Sequence, residues 1–295
     1  MNVSPSTDDK IHRREVVDID DLLTDAKVVK VRHYGRYFTA FLAVFVVAQL
    51  VVAFVSTSNV EWRVIGEYFT NGSVLRGLLV TLEIAIISMV CALVLAVGLA
   101  VMRLSPSRIM RVIAWGYVFV FRGVPLLVLL ILAGNLGLFY SDFTLGIPGT
   151  GLTLYSAPMR EVVSPFVASV IGLTLSGSAY MSEIVRGGLL SVHTGQRDAA
   201  KALGLHGWGT LRFIVLPQAM RIITPPLGNE FVNMLKNTSL VSVIAGGDIL
   251  TITQSLGGTT YRVIELMLVA TIWYLIVISI FGVAQSALER RLAER

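Results

Sequence analysis

Ser191–Gln218 reads SVHTGQRDAAKALGLHGWGTLRFIVLPQ. It is a moderately polar, helix-prone stretch between two long apolar regions. Thr194 or Gly195 is placed to cap a helix starting near Gln196, and Asp198 in its first turn suits the positive end of the helix dipole. The run Ala199–Leu203, AAKAL, has high helix propensity. Gly204 is placed to end the helix as a C′ glycine does. A second amphipathic segment carries Trp208, Leu211, Phe213 and Ile214, and Pro217 closes it. The spacing predicts two short helices lying across the membrane surface, apolar side in, with a tight turn between them. Such a knob is rigid. Residues alone leave open whether it caps the bundle or docks a partner.

What surrounds this stretch is built for lipid. The chain has 295 residues, 55% of them hydrophobic and only 15% charged, with a mean hydropathy of +0.75. A soluble domain is about 25% charged, so too little polar surface exists here to cover the apolar residues in water. The net charge of +5 is gathered at the ends of apolar runs, which fits membrane orientation better than nucleic-acid binding. The lone Cys91 forms no internal disulfide, and the four histidines lack metal-ligand spacing. No cleavable signal peptide is expected ahead of the first apolar run.

At about 20 residues per crossing, six spans are expected: Tyr37–Val55, Leu75–Met102, Val112–Tyr140, Pro165–Val185, Ile222–Ala245 and Val263–Ala287. Lys27, Lys30, Arg32 and Arg36 precede the first. Arg103, Arg108 and Arg111 fill the turn after the second. Arg186, Arg197, Lys201, Arg212 and Arg221 follow the fourth, and Arg290, Arg291 and Arg295 end the chain. These segments alternate with the charge-poor loops Ser56–Val74, Ser141–Ser164 and Gly246–Arg262. Lys and Arg mark the cytoplasmic side, so both termini and the opening stretch are expected there. The predicted organisation is a cytoplasmic tail over 1–36, a transmembrane helix over 37–55, an external linker over 56–74, a membrane domain over 75–287 with the 195–217 insert, and a short cytoplasmic tail over 288–295. A short helix is expected around Asp18–Lys30. The linker, with Trp62, Tyr68 and Phe69, reads as an interfacial helix.

Polar residues within the spans narrow the function, because buried ionisable groups face protein or a water-filled path. Span five carries Glu230, Asn233, Lys236 and Asn237. Glu230, Asn233 and Asn237 share one helix face, and Lys236 stacks a turn from Asn233. Pro225 and Pro226 are expected to break that helix at its start. Glu83 in span two either snorkels, pairs with Arg76, or faces the path. Asn135 and Ser176 are further candidates for the path lining. Arg122, Gly123 and Pro125 interrupt span three. Ser176–Ala179 permits close helix contact. Glu183 and Arg186 form a local pair or meet a cytoplasmic partner.

GQRDAAKALG, followed by IVLP, resembles the EAA-type loop of bacterial ABC-importer permeases: Asp198, Ala199, Ala200, Gly204, Ile214, Leu216 and Pro217 match its pattern, with Asp for the usual Glu. The stretches AYMSEIVRGGLLSVHTGQRDAAKALGL, LPQAMRIITPPLGNEFVNMLKNTSLVSVI and YVFVFRGVPLLVLL are similar to the polar amino-acid uptake permeases of the histidine, glutamine and glutamate class. The similarity runs from about Leu75 to Leu292. Departures are Val124 for the family's Thr, Leu129 for its Gln, and the acid Glu83. The resemblance implies an all-α, polytopic inner-membrane protein: a five-helix permease core plus one added N-terminal helix. It implies two ATPase subunits that carry ATP and magnesium, a second permease chain of the same or a related kind, and an extracytoplasmic amino-acid-binding protein. It assigns Gln196, Asp198, Ala199, Ala200, Gly204, Leu216 and Pro217 to coupling with the ATPase. This chain itself is implied to bind no cofactor and to catalyse no reaction.

Two rivals are weaker. An ion-coupled secondary transporter would use buried Glu230 and Lys236 as a relay, and would follow a proton gradient. A membrane enzyme would need a motif such as HExxH or GxSxG, and the sequence has neither. It also has no GxxxxGK[ST] phosphate loop.

Overall fold

The computed structural model describes residues 34–56, 60–146 and 153–293. The N-terminal tail and the expected helix at Asp18–Lys30 lie outside them. The chain divides into two units, Met1–Asn59 and Val60–Arg295. In the first, helix α1 (Tyr34–Val55) has every residue exposed and is apolar around its whole circumference. A helix of that composition suits a lipid surround.

The second unit begins with α2 (Trp62–Phe69), α3 (Gly72–Leu104), α4 (Arg108–Gly123), α5 (Leu126–Gly134) and the single turn α6 (Leu136–Phe139). A two-stranded antiparallel hairpin follows, β1 (Asp142–Gly146) with β2 (Thr153–Pro158). Next come α7 (Met159–Val162), α8 (Pro165–Leu190), α9 (Thr194–Ala202) and α10 (Trp208–Thr210). A π-helical turn at Leu211–Val215 leads into α11 (Leu216–Asn237), which passes through a 3₁₀ segment at Thr238–Ile244 to α12 (Ile249–Thr260) and α13 (Val263–Ala293).

Among the described residues, three helices are long and apolar enough to cross a membrane, and up to five if each of two bent pairs counts as one span. One bent pair is α4 and α5, turned by 97°. The cause is local: Val124 and Pro125 adopt extended dihedrals, and Pro125 cannot continue the α4 hydrogen-bond ladder. The other pair runs from α10 through the 3₁₀ segment to α12 and bends by 45°. Ala245 and Gly247 take positive φ at that bend. The charge-poor loop expected at Gly246–Arg262 is therefore mostly helix.

Helix α8 is the hub. It is long enough to cross a bilayer, at 26 residues, but rich in Ser and Gly, and twelve of its residues are buried. Against it lie Ala92 and Ala96 of α3, Leu130 of α5 and Met234 of α11, all buried. Small residues allow this close approach in the absence of a hydrophobic drive between helices in lipid. A Cβ on Gly177 would sit 2.6 Å from Met234 Cε, and one on Gly188 would sit 2.2 Å from Ile223 Cγ1. The buried hydroxyls of Ser178 and Ser182 return to their own helix, donating to Leu175 O at 3.0 Å and Ala179 O at 2.8 Å. Tyr117 on α4 reaches Ser178 Oγ at 2.8 Å.

A second cluster holds α2, α12 and α13 together. Phe69 stacks on Trp273 at 4.6 Å, and Trp273 Nε1 donates to Phe69 O at 3.0 Å. Buried Asp248 caps α12 by accepting from Leu250 N at 3.0 Å. Thr81 on α3 accepts from Ile249 N at 2.9 Å.

One local expectation fails here. Pro225 and Pro226 sit inside α11 without ending it. The helix is wedged among α3, α8 and α13, and this packing holds it together across the missing donors. Gln285 on α13 also donates to Pro225 O at 3.3 Å, a tertiary contact between α13 and this part of α11.

Candidate functional site

The 97° bend between α4 and α5 places a polar turn against the middle of α8 and the C-terminal third of α11. A cavity of about 410 Å³ lies there, lined by Arg122, Gly123, Val124, Pro125, Leu126, Ser176, Tyr180, Glu230, Asn233, Lys236 and Asn237. Two cations and one carboxylate thus share a space with three neutral hydrogen-bonding side chains on α8 and α11 and one phenol. The Arg122 guanidinium sits 5.0 Å from the centroid of the Tyr180 ring, an arrangement that holds a cation in place. Of the sequence-derived lining candidates, Ser176, Glu230, Asn233, Lys236 and Asn237 meet in this one cavity. Glu83 and Asn135 do not join it. Glu83 is exposed on the outside of α3 and makes no ion pair with Arg76 among the described residues. Asn135 caps α5 and returns its amide to Ile131 O at 2.8 Å. Lys236 is exposed rather than buried, because α11 presents it to the cavity mouth. Arg122 and Tyr180 were not among those candidates. The FRGVP break was visible in the sequence, but its convergence with Tyr180 is tertiary.

A second groove of about 480 Å³ shares Arg122, Gly123 and Tyr180 with the first and adds Arg103, Trp115, Val118, Phe119 and Glu183. Here Glu183 binds two arginines. Arg186 Nη2 donates to its Oε2 at 2.7 Å, and Arg103 Nη1 lies 3.2 Å from its Oε1. The local pair expected from the i,i+3 spacing is thus one half of a bridge between α8 and α3.

The Ser191–Gln218 stretch folds as a protruding elbow. Helix α9 starts at Thr194, one or two residues before expected, and its cap is His193. The imidazole Nδ1 accepts from Gly195 N at 3.1 Å, so the capping side chain is His193 and not Thr194. Gly204 ends α9 with φ +80°. Gly204 N donates to Lys201 O and Leu205 N to Ala200 O, both at 2.9 Å, the paired bonds of a Schellman ending. Thr210 Oγ1 braces the turn through Leu205 O at 2.8 Å.

Beyond the turn, no second separate helix closes at Pro217. Residues from Trp208 run continuously into α11. Leu216 N reaches back to Leu211 O, a π-type bond, and Pro217 follows directly, so the shift from i−5 to i−4 bonding falls at the residue that lacks a donor. The apolar-in arrangement holds only in part. Ala200 and Val215 are buried, but Leu203 is 82% exposed, Trp208 68% and Phe213 65%. The elbow therefore carries apolar side chains outward. Gln196, Asp198, Ala199, Leu216 and Pro217 are also exposed. Asp198 pairs with Lys201 at 3.3 Å, an exposed contact worth little. The firmer tie is Arg197, whose Nη2 donates to Leu189 O at 2.5 Å. It fastens α9 to the end of α8, and the composition of the loop gave no signal for it.

Comparison with known proteins places these features. Residues 88–294 match the family described as binding-protein-dependent transport system inner membrane component. An arginine transport system permease protein, ArgU of Corynebacterium glutamicum, is 37% identical over 260 residues, covering 88% of this chain and 80% of that protein. The nopaline transport system permease protein NocM of Agrobacterium fabrum is 36% identical over 197 residues, covering 67% and 78%. A solved structure of an amino acid ABC transporter superposes with a TM-score of 0.66 at 31% identity, covering 79% of this chain and 99% of its own. The methionine transporter MetNI, at 17% identity and a TM-score of 0.59, shares the fold. The chain is a member of the binding-protein-dependent transport system inner membrane component family, a multi-pass permease subunit of an ABC importer and not an enzyme.

Proposed function

We propose that this permease carries a polar or charged amino acid through the cavity at the α4–α5 bend, and that the 194–215 elbow receives the stroke of a partner ATPase. The observation that carries the cargo reading is the composition of the cavity. Arg122 and Lys236 suit an α-carboxylate, and Glu230 suits an α-ammonium group. About 400 Å³ is within the range of small-molecule sites. Charged residues within apolar spans are expensive in lipid, so this face is turned toward a second permease chain, identical or related, with the path between them. The alternative of an ion-coupled carrier relaying protons through Glu230 and Lys236 is not favoured by the family.

The elbow reading rests on Leu203, Trp208 and Phe213, apolar side chains that a lone chain leaves in the open. We place two ATPase subunits against this side, where ATP and magnesium bind, and an amino-acid-binding protein at the other. The arginine clusters support a cytoplasmic elbow.

Cargo contact is tested by Lys236→Gln. A charge-assisted hydrogen bond is worth about 1.5–3 kcal/mol, so maximal uptake into proteoliposomes at saturating binding protein should fall about tenfold. Cargo affinity of the binding protein and nucleotide-dependent assembly should stay unchanged. Unaltered uptake would remove Lys236 from the path.

A further inference from the structure

Four arginines from three helix ends converge on one open groove. Its volume is about 450 Å³, and its lining is Arg103, Leu104, Arg108, Arg111, Val112, Trp115 and Arg186. No carboxylate lines it. The one acid beside it, Glu183, is already engaged with Arg103 and Arg186. Arg111 donates to Ser105 O at 2.9 Å and to Pro106 O at 2.8 Å, which fixes its guanidinium but neutralises nothing. Arg108 makes no hydrogen bond or ion pair among the described residues.

Four cations against one carboxylate leave a net charge of +3 in this small region. The placement of two of them adds to the cost. Arg108 and Arg111 occupy the first turn of α4, where the helix dipole is positive and acids, not bases, are favoured. The orienting role of loop cations needs only that they lie on one side of the membrane. It does not require that cations from α3, α4 and α8 face a common groove. Such a groove becomes favourable when it holds an anion.

The surroundings indicate what carries the anion. Ile109 is 73% exposed, Ile113 57% and Trp115 55%, all on α4 and within four residues of Arg108 or Arg111. Cationic side chains beside an exposed Trp and aliphatic residues match the headgroup level of a bilayer. A free anion would satisfy the arginines and leave those apolar residues bare. An anion attached to acyl chains satisfies both.

We infer that this groove is a binding site for the phosphate headgroup of an anionic phospholipid, with Arg108 and Arg111 as its main ligands and Trp115 at the acyl boundary. The bound lipid would hold the α3–α4 turn against the end of α8, beside the groove that leads to the cargo cavity. The inference rests on the membrane placement of the family, not on the cargo reading.

The experiment uses the purified transporter in phosphatidylcholine nanodiscs doped with phosphatidylglycerol. Retained lipid is counted by native mass spectrometry. The intact transporter should retain phosphatidylglycerol selectively. The Arg108→Gln/Arg111→Gln variant should bind it roughly 30-fold more weakly, as expected for the loss of two near-surface basic residues. In parallel, brominated phosphatidylglycerol should quench the fluorescence removed by Trp115→Phe more strongly than brominated phosphatidylcholine does. This second reading uses the unaltered arginines and decides the matter if the double variant misfolds. Equal retention of both lipids, or unchanged retention in the double variant, would overturn the site. Displacement of the lipid by millimolar inorganic phosphate, with equal quenching by the two brominated lipids, would overturn the lipid assignment in favour of a free anion. Uptake in pure phosphatidylcholine is recorded separately, so a failed lipid site leaves the cargo reading intact.

Discussion

Gly204→Val should abolish amino-acid uptake, by about 100-fold or more, while leaving the chain folded in the membrane. Gly204 has φ +80°, and a Cβ built there meets nothing within 4 Å. The damage is therefore conformational and not steric. A left-handed conformation costs an L-residue about 1–2 kcal/mol, and a β-branched residue resists it further. Valine would pull the chain out of that conformation and dissolve the paired bonds from Gly204 N and Leu205 N. The elbow would lose its angle, and with it the registration of Leu203 and Trp208. Asn tolerates the left-handed region, so Gly204→Asn should retain most uptake. Transport and stimulated ATP hydrolysis in proteoliposomes check both variants. Equal loss in Val and Asn would mean that the glycine serves something other than the turn.

Glu183→Gln should be the most damaging single change within the bundle. The carboxylate holds Arg186 at 2.7 Å and Arg103 at 3.2 Å, and its side chain is only 22% exposed. Removing one partner from a buried pair costs about 3–5 kcal/mol. Partial exposure of all three groups reduces this to about 1–3 kcal/mol. At roughly 2–4 °C per kcal/mol for a chain of this size, the melting temperature in detergent should fall by about 5 °C. Uptake should fall more than tenfold, because the α3–α8 bridge lies in the groove that adjoins the cargo cavity. The double variant Glu183→Gln/Arg103→Gln should recover part of the lost stability, since it removes one of the stranded cations. Such non-additivity is expected of residues in contact. A double variant as unstable as the sum of its singles would show that the pair contributes nothing.

Sequence and structure agree where chemistry is local. Gly204 was readable because few residues other than glycine take a positive φ at a helix end. The FRGVP break was readable because Pro125 removes a donor. The stripe of Glu230, Asn233 and Asn237 was readable because helical periodicity puts them on one face. The failures share a cause, which is that neighbours decide. Pro217 reads as a boundary, but a π turn absorbs it at a position where no donor is needed. Pro225 and Pro226 read as breaks, but packing against α3, α8 and α13 carries the helix through. Glu83 and Asn135 are polar residues in apolar runs like Ser176, yet a sequence does not give the direction a span faces in the bundle. Leu203, Trp208 and Phe213 read as an inward face because apolar residues usually are. Ala200 and Val215 take the inward place instead, and tertiary packing decides which side chains do so.

That outward face is where the account is most open to test. A cysteine at Leu203, in a Cys91→Ser background because Cys91 is itself exposed, can carry a thiol-linked photo-cross-linker in the assembled transporter. A cross-link is expected from position 203 to the ATPase subunit, with a yield that changes when nucleotide is trapped, and none from a cysteine at Leu154 in the hairpin. An assembly that retains its ATPase but gives no product from position 203 would contradict the claim that the 194–215 elbow is the part of this permease the ATPase moves.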